Sequence, residues 1–189
     1  ALGMHVLVFE DMTDELRRTN RELASANEEV RRLAITDPLT GCYNRHFFDE
    51  IERRELHRHR RYQSPLSVVF VDVDRFKQLN DTLGHDTGDT ALRAIGALLR
   101  AHVRETDYVI RWGGDEFLLL LTCTAPQAEW KARELKAAFQ TDPGTVNLPG
   151  GVGLSVGVAE VAEAGSDTGS LSGAIRLADE RMYHDKSSG

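Results

Sequence analysis

The stretch Arg111–Leu121, RWGGDEFLLLL, constrains the fold more than any other part of the chain. Two glycines and two acids stand directly before an uninterrupted apolar run. Gly113-Gly114 has the composition of a tight two-residue hairpin turn, which needs positive φ. Tyr108–Arg111 and Asp115–Thr122 are the strands this turn predicts. A buried strand that opens on acid is costly unless its charge is answered. The same situation arises at Leu66–Asp72, LSVVFVD, a continuous β-branched run that leads into Val73 and Asp74. Asp72 and Asp74 lie two apart, so they share a face if the chain stays extended. Carboxylates from neighbouring strands, converging at one end of a sheet, suit Mg²⁺ or Mn²⁺. These hard cations take oxygen ligands and keep positions open for substrate phosphates. A lone Asp-x-Asp is ordinarily a solvated turn; the glycine turn and the second pair of acids favour the metal here.

Ahead of this region, Met12, Leu16, Thr19, Leu23, Ala26, Val30 and Leu33 recur at alternating spacings of four and three. That is a heptad seam flanked by charge, the pattern of a two-stranded coiled coil. Thr13 or Asp14 is placed to cap it. Residues 4–9, MHVLVF, read as a short strand, and Asp37-Pro-Leu-Thr-Gly41 ends the helix. Helices are predicted over Asn44–Tyr62, Asp89–His102, Gln127–Thr141 and Leu171–Asp185, with a strand over Val152–Val161. A short edge strand is expected within 143–151, and a polar loop over Ser166–Ser172. The order is that of an α+β sandwich on an antiparallel sheet.

With 189 residues, 41% hydrophobic and 28% charged, the chain is sized for one globular domain plus an appendage. A net charge of −7 disfavours generic nucleic-acid binding. The apolar runs fall well short of the ~18 residues of a membrane helix. No secretory signature opens the chain, and its abrupt start suggests a piece of something longer. Cys42 and Cys123 have no framework or metal-ligand spacing, so they read as reduced core residues of a cytoplasmic protein.

Between the two acid sets lies FKQLNDTLGHDTGDTAL. Phe76, Leu79 and Leu83 suit core positions at helical spacing; Lys77, Asn80, His85 and Asp89 are the polar residues close by. Gly84 and Gly88 let a loop fold tightly round a ligand. An Asp and an Asn together read guanine, since the carboxylate accepts from N1–H and N2–H₂. Adenine would leave them unpaired, a penalty of up to ~10⁴-fold.

Four blocks, DPLTGCYNR (37–45), VDVDRFKQLNDTLGHDTGDTAL (71–92), RWGGDEF (111–117) and LADERMYHDK (177–186), resemble the GGDEF-domain diguanylate cyclases. The resemblance implies a nucleotidyl-cyclase-like, ferredoxin-like fold: an antiparallel central sheet flanked by helices and preceded by a coiled-coil helix. It implies condensation of two GTP into cyclic di-GMP and two pyrophosphates, in bacterial signalling. Asp72 and Asp115, with the carbonyl of Val73, are then the metal ligands. Glu116 is either the base for the 3′-hydroxyl or a second metal ligand. Lys77 steadies transition-state charge, Lys186 holds the terminal phosphates, and Phe76 borders their pocket. Asn80 and Asp89 read guanine, His85 helps hold the nucleotide, and Gly113 and Gly114 let the turn approach it. Two such domains must meet head to head as a homodimer. Residues 1–13 are similar to the end of a PAS-type sensor domain, 14–36 form the linker helix, and 37–189 the cyclase domain. Arg104 and Asp107 stand where many relatives carry an R-x-x-D product-inhibition site. Cys42 departs from the leucine usual in the family. The rival expectation is a catalytically inactive module that only receives cyclic di-GMP or GTP.

Overall fold

In the computed structural model, which describes residues 2–142, 144–145, 147–163 and 171–188, the first unit is a single helix. This helix, α1, runs Leu2–Ile35. It covers the strand expected over 4–9: a helix satisfies its backbone groups internally, whereas a strand needs a partner. Met12, Leu16, Leu23, Val30 and Leu33 along the heptad seam are all exposed, at 58–65%. Between them, short-range ion pairs such as Arg18–Glu22 and Arg32–Glu29 line the helix surface.

The second unit spans Thr36–Gly189. Its elements are β1 Tyr43–Asn44, α2 Arg45–Tyr62, β2 Ser67–Asp74, α3 Phe76–Leu83, α4 His85–Ala101, β3 Tyr108–Arg111, β4 Glu116–Leu121, α5 Ala125–Thr141, β5 Gly153–Glu160 and α6 Ser172–Ser188. The sheet order is β1-β3-β4-β2-β5. Every pairing is antiparallel except β1 with β3, a two-residue parallel addition at one edge. The four longer strands form the split βαβ arrangement of a ferredoxin-like sheet, confirming the α+β expectation. The Asn44 side chain caps α2 by accepting from the Phe47 amide at 2.9 Å. Thr124 and Gln127 form a capping box at the start of α5.

Side chains alternate strictly across β2 and β4. Val69, Val71, Val73, Phe117, Leu119 and Leu121 pack with Leu92, Ile95 and Leu99 of α4 and Leu135 and Phe139 of α5. Phe70 points to the opposite face, where Trp112 lies edge-on to both Phe70 and Phe48 of α2. Helix α6 covers the same face. At Gly157 of β5 an added Cβ would lie 1.9 Å from the Ala178 carbonyl, so glycine lets α6 come down onto the sheet. β2 is thus buried on both sides along nearly its whole length. That explains its unbroken apolar sequence.

Three further expectations change. The edge strand is absent from the described part of 143–151. Pro149–Gly151 form a 3-10 turn instead, with Gly150 and Gly151 at φ of 81° and 65°, which no strand accommodates. Leu83 is 46% exposed at the end of α3, leaving Leu79 as that helix's buried anchor. Gly113 and Gly114 do not adopt positive φ. The connection from β3 to β4 is a four-residue loop, Trp112–Asp115, closed by the Trp112 amide on the Glu116 carbonyl at 2.9 Å. A longer loop removes the strain that a two-residue turn would impose. The loop expected over 166–172 lies largely outside the described residues.

Candidate active site

The register of β2 against β4 sets Asp72 directly beside Glu116. The Val73 amide donates to the Asp115 carbonyl at 3.2 Å, tying the loop before β4 to the end of β2. Three acids therefore gather at one end of the two central strands. Burial pushes the Asp115 carboxyl above its ordinary range, and the Asp72 charge adds to this. Burial likewise raises Glu116, with Asp72, Asp115 and Asp179 contributing repulsion. Lys186, from the last turn of α6, answers this charge with its ammonium 2.5 Å from Asp72 Oδ1. That hydrogen bond raises the lysine in turn. The neighbouring Asp74 is held separately, accepting from the Ser155 hydroxyl at 2.6 Å.

The donor set is all oxygen: carboxylates plus the Val73 carbonyl at the strand end. It fits a hard divalent cation that leaves positions for phosphate oxygens. Among the described residues no three His, Cys, Asp or Glu side chains are grouped as a self-sufficient metal cage. A Mg²⁺ site of the open kind uses one or two carboxylates plus substrate phosphates.

Beside the acids a cavity of about 500 Å³ is lined by Val73, Arg75, Phe76, Lys77, Gln78, Asp81, Asp115 and Lys186. Five of these eight are residues the sequence singled out; Arg75, Gln78 and Asp81 are the additions. Arg75 sits at φ 58°, turning the chain from β2 into α3. A non-glycine residue in the left-handed region is a strained position of the kind that collects at functional sites. Next along the chain, Asn80 of α3 packs over Gly88 of α4, where any Cβ would stand 1.9 Å from Asn80 Oδ1. That oxygen is buried and has no hydrogen-bond partner among the described residues. Buried polar atoms are almost always paired, so an orphan acceptor marks a missing donor. Asp89 lies one residue beyond Gly88, half-exposed, with Arg93 3.9 Å away. His85 opens α4 and is exposed. Asn80, His85 and Asp89 do not line the 500 Å³ cavity; they form a separate group on the α3–α4 pair.

The sequence missed an ion pair that organises the loop. Arg111 donates to both carboxylate oxygens of Asp37 at 3.1 Å, and to the Gly114 carbonyl at 2.8 Å. Asp37 also accepts from the Thr40 amide and hydroxyl. Burial alone would raise its carboxyl, but the Thr40 bonds and the Arg111 charge outweigh this and hold it below the usual range. The signal was present as Asp37-Pro-Leu-Thr40, read only as a helix stop.

Arg104 and Asp107 stand apart from the acids, in the turn before β3. Asp107 accepts from the Arg104 and Thr122 amides, both at 3.1 Å. Both residues line a second cavity of about 370 Å³, with Cys123 on its wall. Cys42 and Cys123 are free thiols; Cys42 is fully buried and Cys123 half-buried. Among the described residues no helix is long and apolar enough to cross a membrane.

A ferredoxin-like sheet with acids at the ends of its two central strands, beside a lysine-lined cavity, defines a nucleotidyl-cyclase-like domain. The chain belongs to the family described as "Diguanylate cyclase, GGDEF domain", whose model matches residues 34–189. It is 34% identical over 157 residues to the diguanylate cyclase DosC of Escherichia coli K12, covering 82% of this chain and 34% of DosC. It thus spans about a third of that curated relative's length. Among solved structures it is similar to the diguanylate cyclase SiaD of Pseudomonas aeruginosa, crystallised with its activator SiaC. That match has a TM-score of 0.75 and 32% identity, covering 98% of this chain and 70% of SiaD. It is also similar to the coiled coil and GGDEF domain of DgcB from Caulobacter crescentus in complex with c-di-GMP. There the TM-score is 0.78 at 27% identity, with 96% and 93% of the two chains covered.

Proposed function

We propose that this chain condenses two GTP into cyclic di-GMP with release of two pyrophosphates, using Mg²⁺ or Mn²⁺ and acting as a homodimer. The observation that carries this reading is the gathering of Asp72, Asp115 and Glu116 beside a cavity lined by Lys77 and Lys186. Asp72, Asp115 and the Val73 carbonyl would hold the cation, which lowers the barrier by neutralising phosphate charge. Lys77 and Lys186 face the same cavity and would bind the triphosphate. In each half-reaction the 3′-oxygen of one nucleotide forms a bond to the α-phosphorus of the other. The bond from that phosphorus to the bridging oxygen breaks, and pyrophosphate leaves. Glu116 would either take the hydroxyl proton or join the cation's ligands.

Guanine selection is assigned to Asn80 and Asp89. The orphan Asn80 oxygen supports this, because a guanine N–H donor would satisfy it, while the Asp89 carboxylate would pair with guanine N1–H and N2–H₂ and meet only the N1 acceptor of adenine. His85 borders the same base position. One nucleotide per domain means two domains must face each other, and the exposed seam of α1 supports dimerisation. Arg104 and Asp107 are assigned to feedback by the product.

Separate incubations with GTP and with ATP, each with Mg²⁺ and followed by nucleotide chromatography, test this reading. GTP should yield cyclic di-GMP and ATP should give no cyclic dinucleotide. Binding of GTP without turnover would leave only a receptor module.

A further inference from the structure

We propose that Trp130 is the base-stacking residue of the second guanine-nucleotide site built on Arg104. This inference rests on the reading of Arg104 and Asp107 as a product site and adds the group that would grip the base.

The starting point is a residue that the fold does not need where it is. Helix α5 buries Ala128, Ala132, Leu135 and Phe139, spaced by four, three and four, against the sheet. Trp130 falls outside that stripe and is 59% exposed. An indole this exposed gains little from packing, whereas it offers a large flat apolar face with little rotamer freedom to lose. It lines the 370 Å³ cavity together with Arg104, Asp107, Thr122, Cys123 and Lys131. That volume lies in the range of small-molecule sites.

The other residues of the cavity divide the work. Asp107 is committed to backbone: its two oxygens accept from the Arg104 and Thr122 amides, which fixes the turn that carries Arg104. It is a positioning residue. The Arg104 guanidinium makes no hydrogen bond or ion pair among the described residues, so its donors face the cavity uncommitted. A guanidinium pairs in bidentate fashion with guanine O6 and N7, or with phosphate. The Lys131 ammonium lies 5.4 Å from the Trp130 ring centroid and 2.6 Å from Glu134. It lies over one face of the ring as a cation–π contact and adds positive charge there, leaving a base to stack on the opposite face of the exposed indole. A free cation, an exposed indole and a half-buried wall at Cys123 together suit one purine ring and an adjoining phosphate. Stacking alone accepts any base, so the preference for guanine comes from Arg104 and the affinity from Trp130.

The test uses wild type, Trp130→Ala, Trp130→Phe and Arg104→Ala. Inhibition of initial rates by added cyclic di-GMP is measured, with affinity by calorimetry. Trp130→Ala should weaken inhibition at least ~5-fold, the range of a lost base stack, while leaving kcat without added product unchanged. Trp130→Phe should recover part of the loss, which a merely structural role would not produce. Arg104→Ala should abolish inhibition. Unaltered inhibition in Trp130→Ala, with Arg104→Ala defective, would overturn the stacking role and leave the site. Unaltered inhibition in both would overturn the site itself.

Discussion

Asp37 shows how much one carboxylate can organise. It receives the Thr40 amide, the Thr40 hydroxyl and Arg111, and Arg111 in turn holds the Gly114 carbonyl of the loop that carries Asp115. The side chains of this pair are only 19% and 18% exposed, so the charge-assisted bonds are partly shielded from water. Asp37→Ala should cost about 1–3 kcal/mol of stability at neutral pH. The lowered carboxyl means the folded chain binds its proton more weakly than the unfolded chain does. The stabilisation is therefore complete above the unfolded value near ~4 and is lost as the pH falls through the folded value. Thermal unfolding of wild type and Asp37→Ala from pH 7 downward should show curves that converge below about pH 4. A gap that persists undiminished in acid would remove the ionised pair as its cause. The Asp37–Thr40 half of this is local and was present in the sequence, but the ion pair was not. Asp37 and Arg111 are 74 positions apart, and no local periodicity links them.

At the scale of elements, the long ones were legible and the short ones were not. The β2 run and the stripes of α4 and α5 announce themselves because burial on two faces, or on one, dictates their composition. β1 has two residues, too few for any pattern, and it exists only because β3 offers an edge. α3 and α4 merge into one polar stretch in sequence. Gly84, at φ 87°, separates them. The Gly-Gly pair pointed correctly to a connection between strands but wrongly to its geometry. Only the register could show that the pairing closes at Arg111 with Phe117. The acids themselves were readable, because charge at the end of an apolar run is expensive wherever it occurs. The heptad seam of α1 was likewise readable, and its leucines are exposed as a pairing face would be. Leu16→Asp with Leu23→Asp should shift the chain to monomer in sedimentation experiments. Specific activity at low micromolar protein should fall roughly tenfold or more, through loss of effective concentration. A dimer of undiminished mass would move the interface elsewhere on the molecule.

For the whole molecule, charge and division of labour fit together. On the proposed function a chain of net charge −7 must bind a polyanion, and the means it has are local. Asp72, Asp115 and Glu116 gather where a cation would mediate, and Lys77 and Lys186 line the adjoining cavity. The Arg104 cavity is a separate place, reached by different elements, so the proposed synthesis and feedback would not compete for one set of side chains. On the proposed function, catalysis depends on the acids at the ends of β2 and β4. Asp115→Ala, assayed for cyclic di-GMP formation from GTP and Mg²⁺ beside its circular dichroism and melting temperature, tests that dependence directly. The expected result is product below detection with the fold and melting temperature essentially unchanged. Synthesis at the wild-type rate from the folded variant would contradict it.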